Sequence, residues 1–133
     1  MNRMVLVVDD DPILREVATA ILEGEGFDVL QAEDGRKAME ALSAAHVDLV
    51  LCDVFMPNMD GFETLRAIRQ KWPVLPVIMM TAGNAFQTPE AMLKTARLFG
   101  VAGDLAKPLN RERLMAKVNE ALQPPASDEA AAS

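Results

Sequence analysis

Leu49-Val50-Leu51-Cys52-Asp53-Val54-Phe55-Met56-Pro57-Asn58-Met59-Asp60-Gly61 starts as an apolar run, reaches a carboxylate, then turns through Pro57 and the Asp60-Gly61 pair. A short apolar run without polar alternation suits a strand buried on both faces, as in a parallel sheet covered by helices. In open sheets of that kind, ligands and chemistry collect beyond the carboxyl ends of the strands. Asp53 therefore falls where a reactive group is expected.

Upstream, Met4 to Val8 is an apolar first strand ending in Asp9-Asp10-Asp11. Pro12 opens a helix at its first position, with Asp11 as the cap and Ile13, Val17, Ala20 and Ile21 as the inward face. Gly24 and Gly26 close it. Phe27 to Ala32 forms a more polar strand suited to a sheet edge. Asp34 caps a helix from Arg36 to Ala45, with Ala38, Ala41, Leu42 and Ala45 inward.

Downstream, Asp60 and Glu63 resemble a capping box for a helix that turns Phe62, Leu65 and Ile68 inward. Val74 to Thr81 is a fourth strand after Pro73. Thr88-Pro89 begins a helix that runs to Leu98 and ends at Gly100. Val101 to Ala106 is a weak fifth strand, closed by Lys107-Pro108. Asn110 caps a last helix with Leu114, Val118 and Leu122 inward. Residues 1–122 thus form one domain, and 123–133, rich in Pro, Ala and Ser, read as a disordered tail. Strand and helix alternate five times, which calls for an α/β, doubly wound parallel sheet of five strands with five helices and the first strand central.

The 133 residues carry a net charge of −7, which argues against a nucleic-acid surface with its clustered Lys and Arg. The single cysteine, Cys52, admits no internal disulfide and reads as a small buried hydrophobe. The apolar run before Asp9 is too short for a signal peptide or membrane span, so a cytoplasmic protein without membrane partners is expected. His46, the only histidine, is expected on the surface.

Strand ends deliver Asp9 and Asp10, Asp53, Thr81 and Lys107 to one edge. Carboxylates gathered there repel one another, and a hard divalent cation removes that cost. Oxygen ligands with few protein carboxylates suit Mg²⁺. A hydroxyl and an ammonium complete a setting for a small anionic group. Without a G-x-x-x-x-G-K-[ST] cradle, a nucleotide triphosphatase is excluded, and phosphoryl transfer to Asp53 as nucleophile remains.

Val7-Val8-Asp9-Asp10, Asp53 with Met56-Pro57-Asn58-Met59-Asp60-Gly61, Met80-Thr81-Ala82 and Lys107-Pro108 stand in an order that resembles the response-regulator receiver domain of bacterial two-component signalling. The resemblance runs from Val5 to Leu122 and implies a flavodoxin-like strand order 2-1-3-4-5. It implies that Asp53 accepts a phosphoryl group from a sensor histidine kinase or phosphotransfer protein. Asp9, Asp10, Asp53 and the backbone carbonyl of Phe55 would hold Mg²⁺, while Thr81 and Lys107 would bind the phosphoryl oxygens. The Lys107-Pro108 bond is expected to be cis. Such a protein catalyses only its own phosphorylation and dephosphorylation, and signals to a protein target through the face of the fourth helix, fifth strand and fifth helix. Arg97, Asp104, Arg111, Arg113 and Lys117 are candidate polar contacts there.

The family's usual aromatic switch residue is replaced by Asp104, so output is expected through the fourth helix or backbone shifts. The stretch from Thr81 to Lys107 is a few residues long for the family, and residues 84–89 are expected to order on phosphorylation. Phe55 would restrict the hydrolytic water and slow dephosphorylation. A receiver belonging to a larger regulator or hybrid kinase is the alternative. A haloacid-dehalogenase-like phosphatase would instead place an Asp-x-Asp nucleophile after the first strand, with a cap insertion. A receiver that binds partners without phosphorylation does not need the intact acid set.

Overall fold

A computed structural model describes residues 2–53, 61–81 and 100–123. Its elements are β1 (Met4–Val8), α1 (Pro12–Gly24), β2 (Asp28–Ala32), α2 (Gly35–Ala44), β3 (Leu49–Asp53), α3 (Gly61–Lys71), β4 (Val77–Thr81), β5 (Gly103–Ala106) and α4 (Arg111–Leu122). The strands form one sheet in the order β2-β1-β3-β4-β5, with every pairing parallel. This is the expected doubly wound fold. The expected helix over 88–98, the Asp60 cap, the 84–89 loop and the tail from residue 124 lie outside the described residues.

Helix entry follows local chemistry. The side chains of Asp11, Asp34 and Asn110 accept from the backbone N–H groups of Ile13, Lys37 and Arg113 at the starts of α1, α2 and α4. Each satisfies a donor that the first turn leaves open. Strand alternation then divides the core in two. Val5, Val7, Leu49, Leu51, Ile78, Met80 and Leu105 pack with Ala18 and Leu22 of α1 and Leu114 and Val118 of α4. Leu6, Val8, Val50, Cys52, Val77 and Met79 pack on the other face with Ala38 and Leu42 of α2 and Leu65 and Ile68 of α3.

The inward face of α1 differs from the expected one. Ala18 and Leu22 are fully buried, with Leu14 and Ile21 packed beside them, whereas Ile13 is 73% exposed and Val17 is 42% exposed. The helix carries two overlapping apolar stripes one residue apart, and the sheet covers the stripe that holds both leucines. β4 also starts later than expected, because Val74 sits 91% exposed in a turn closed by Leu75 N donating to Trp72 O at 3.3 Å. Pro73 and Pro76 have no N–H to offer a ladder on either side of it. β5 likewise begins at Gly103 rather than Val101, and Phe62 is half-buried rather than central to the core.

The turn before β4 is organised by a residue outside the sequence pattern. Arg69 Nη1 donates to the carbonyls of Trp72, Pro73 and Leu75 at 3.1, 3.0 and 2.9 Å. Its Nη2 reaches Gly100 O at 3.4 Å, which joins the end of α3 to the approach to β5. The two α1 stripes give a direct check. Leu22→Ala should cost about 2–5 kcal/mol in urea unfolding, while Ile13→Ala should change stability by less than about 0.5 kcal/mol.

Candidate functional site

The sheet register builds the site. Val8 lies opposite Cys52, so one further residue on each strand sets Asp9 beside Asp53. Asp53 pairs with Met80, and Thr81 follows it, buried, opposite Ala106. Lys107 comes next, its N–H donating to Thr81 O at 2.7 Å, and the Lys107-Pro108 peptide is cis. Val5, Val7, Leu49, Leu51 and Leu105 all belong to the α1/α4 face. The two-residue period then carries Asp9, Asp53 and Lys107 to that same side.

Lys107 Nζ stands 2.8 Å from Asp9 Oδ2 and 3.3 Å from Asp53 Oδ2. Asp9 and Asp53 are buried and Asp10 is exposed, yet one carboxylate oxygen from each lies within 4.8 Å of the others. Asp9 Oδ1 accepts from Asp11 N at 2.9 Å. Asp9 Oδ2 receives no well-directed hydrogen bond, so the ammonium beside it is its counter-charge. Asp9, Asp10, Asp53 and Lys107 are therefore brought together as expected, with Thr81 at the same edge. Phe55 lies outside the described residues.

The electrostatics are unbalanced. Among the described residues, three carboxylates gather around the one Lys107 ammonium, so negative charge is in excess at this edge. Partial burial, followed by the hydrogen bond and charge of Asp9, raises the Asp10 pKa above the ordinary carboxylate value. Burial opposes the charge on Lys107, but the Asp9 and Asp53 carboxylates outweigh it and hold its pKa above the usual lysine value. An all-oxygen group with this charge deficit and an incompletely bonded buried oxygen fits a hard divalent cation. Cys52 is buried behind the site, and desolvation followed by the Asp53 and Asp9 charges pushes its thiol far upward, which keeps it inert. His46 is on the surface, 3.1 Å from Asp48, well away from this edge of the sheet.

Arg15 is the residue that the strand-end pattern missed. It lies one turn into α1, and its Nη1 donates to Asp9 O at 2.7 Å while Nε donates to Gln31 Oε1 at 3.1 Å. A cation in the first turn after an acidic run was the available signal. Asp104, at the position expected for the switch aromatic, is exposed on β5.

The model of the response regulator receiver domain family matches residues 5–119. The chain belongs to that family. The transcriptional regulatory protein ZraR of Escherichia coli strain K12 is 41% identical over 121 residues, covering 91% of this chain and 26% of that protein. The DNA-binding response regulator MtrA of Mycolicibacterium smegmatis is 37% identical over 123 residues, covering 92% of this chain and 52% of its own length. Among solved structures, chemotaxis protein CheY4 of Vibrio cholerae superposes with a TM-score of 0.85 at 32% identity, covering 92% of this chain and 100% of that one. The chain thus spans about a quarter of the length of ZraR and the whole of CheY4. Among the described residues no helix is long and apolar enough to cross a membrane.

The raised Asp10 pKa gives a signed prediction. The folded protein holds that proton more tightly than the unfolded chain, so stability from Asp10 declines as pH climbs above the ordinary carboxylate value. Asp10→Asn should therefore stabilise the metal-free protein at about pH 7, with the gain vanishing near about pH 3, in urea titrations at the two pH values.

Proposed function

We propose that this receiver accepts a phosphoryl group on Asp53 from a phosphohistidine of a sensor histidine kinase or phosphotransfer protein, and that the modified form changes its binding to a protein target. The observation that carries this reading is the Lys107 ammonium held 3.3 Å from Asp53 Oδ2 and 2.8 Å from Asp9 Oδ2. An Asp53 oxygen attacks phosphorus, forming the O–P bond of an acyl phosphate as the P–N bond to the donor imidazole breaks. The leaving nitrogen keeps the bonding electron pair. Lys107 meets the charge on the transferred oxygens, and the Thr81 hydroxyl donates a hydrogen bond to one of them.

Asp9, Asp10, Asp53 and the Phe55 carbonyl are the groups that would hold Mg²⁺. When bound, Mg²⁺ supplies the positive charge that lets a phosphoryl anion approach a carboxylate cluster. The chain's own groups orient the acceptor and exclude water. Asp53 is buried at the sheet edge, with Lys107 beside its Oδ2. No separate substrate is turned over; the protein catalyses its own phosphorylation and dephosphorylation, in the cytoplasm of a bacterium.

The signalling face is that of the helix expected over 88–98, β5 and α4. Arg113 is exposed there, whereas Arg111 is engaged with Glu25 at 2.7 Å. With Asp104 in place of the aromatic, the backbone bond from Lys107 N to Thr81 O is, among the described residues, one link between site and face. A second reading, a receiver that works within a larger regulator, is favoured by the length of ZraR relative to the matched region. In that case the target is another part of the same protein.

Incubation with Mg²⁺ and acetyl phosphate should add the mass of one phosphoryl group in a base-labile form. Asp53→Asn should abolish the adduct, and Lys107→Met should slow its formation by a factor on the order of a hundred, as when one stabilising charge is removed. An adduct that persists in Asp53→Asn contradicts the proposal.

A further inference from the structure

Asp9 has a hydrogen-bond partner at each polar atom except Oδ2, which is met by an ion pair. Its N–H donates to Ala32 O of β2 at 3.1 Å, and Oδ1 accepts from Asp11 N at 2.9 Å. Oδ2 faces Lys107. The remaining group, the backbone carbonyl, accepts from Arg15 Nη1 at 2.7 Å. That guanidinium is braced in turn, because its Nε donates to Gln31 Oε1 at 3.1 Å, and Gln31 Nε2 donates to Thr19 Oγ1 at 2.9 Å. Arg15 and Thr19 stand one turn apart on α1, so the network locks α1, β2 and the end of β1 together.

We propose that Arg15 is a positioning residue for the metal-binding edge: by holding the Asp9 carbonyl it sets the plane of the Asp9-Asp10 peptide, and with it the direction in which Asp10 presents its carboxylate. The inference rests on the receiver reading above, in which Asp9 and Asp10 hold Mg²⁺. A peptide unit is planar, so anchoring one carbonyl fixes the orientation of the bond that leads to the next Cα. Asp10 needs that restraint. It is exposed and is repelled by Asp9, yet its oxygen stays within 4.8 Å of those of Asp9 and Asp53. A free peptide would relieve the repulsion by rotating Asp10 outward and opening the cluster.

The charge of Arg15 alone predicts the opposite behaviour. A cation beside an acidic cluster repels a second cation, so deleting it through electrostatics would tighten Mg²⁺ binding. Deleting a positioning residue loosens it. Lysine separates the two effects further, since it keeps the charge but has one donor centre and no rigid fork to span Asp9 O and Gln31 Oε1.

The test is calorimetric titration of the full chain with MgCl₂. Arg15→Ala and Arg15→Lys should each bind on the order of tenfold more weakly than wild type. Gln31→Ala should shift affinity in the same direction by a smaller factor, with circular dichroism of the metal-free proteins unchanged. Wild-type or tighter affinity in Arg15→Ala overturns the proposal. If that variant does not fold, wild-type affinity in both Arg15→Lys and Gln31→Ala overturns it instead. A wild-type protein that takes up no Mg²⁺ removes the metal-assisted phosphoryl-transfer reading and this inference with it, whereas normal binding in wild type and variants alike removes the inference alone.

Discussion

An ammonium between two buried carboxylates is the constraint on which the rest of this molecule depends. Lys107 approaches Asp9 Oδ2 to 2.8 Å and Asp53 Oδ2 to 3.3 Å at the edge of the sheet. Removing two carboxylates from water is costly, and one cation offsets only part of that cost. The protein keeps the imbalance because the strands on either side are too well buried to let the charged ends separate. Val5 to Val8, Leu49 to Cys52 and Val77 to Met80 are all fully buried. A stable apolar sheet thereby holds an electrostatically strained rim, a division of labour common where a fold presents a reactive site.

The register turns that division into geometry. β1 and β3 bring Asp9 and Asp53 level and β5 runs two residues further to Lys107, and the two-residue period puts the side chains that follow their last inward hydrophobics on one face. Helices α1 and α4 cover the apolar part of that face. Asp11 caps α1 while its backbone N–H ties down Asp9, so the helix start and the acidic site share one turn of chain. The carbonyl of Thr81 receives the N–H of Lys107, which joins the hydroxyl-bearing strand end to the ammonium.

Much of this was legible in the residues because strong local signals agreed. Continuous apolar runs ended in Asp9, Asp53 and Thr81, and the capping positions of Asp11, Asp34 and Asn110 all hold. The α1 face is ambiguous in the residues because Ile13 and Val17 form an apolar stripe about 100° around the helix from that of Leu14, Ala18 and Leu22, and only packing against the sheet decides between them. The early start given to β4 ignored the turn that two prolines impose. Arg15 and Arg69 escaped notice for a different reason. Their importance lies in backbone carbonyls brought close by the fold, and no spacing in the chain announces those partners.

The central claim is that the strand ends gather carboxylate oxygens in a cluster that fits a hard divalent cation. Thermal unfolding of the unmodified protein in rising MgCl₂ tests it most directly, since a ligand that binds only the folded state raises the midpoint continuously with concentration. The account predicts a rise with Mg²⁺ that matched ionic strength of NaCl does not reproduce. A midpoint unmoved by Mg²⁺, or moved equally by NaCl, would contradict it.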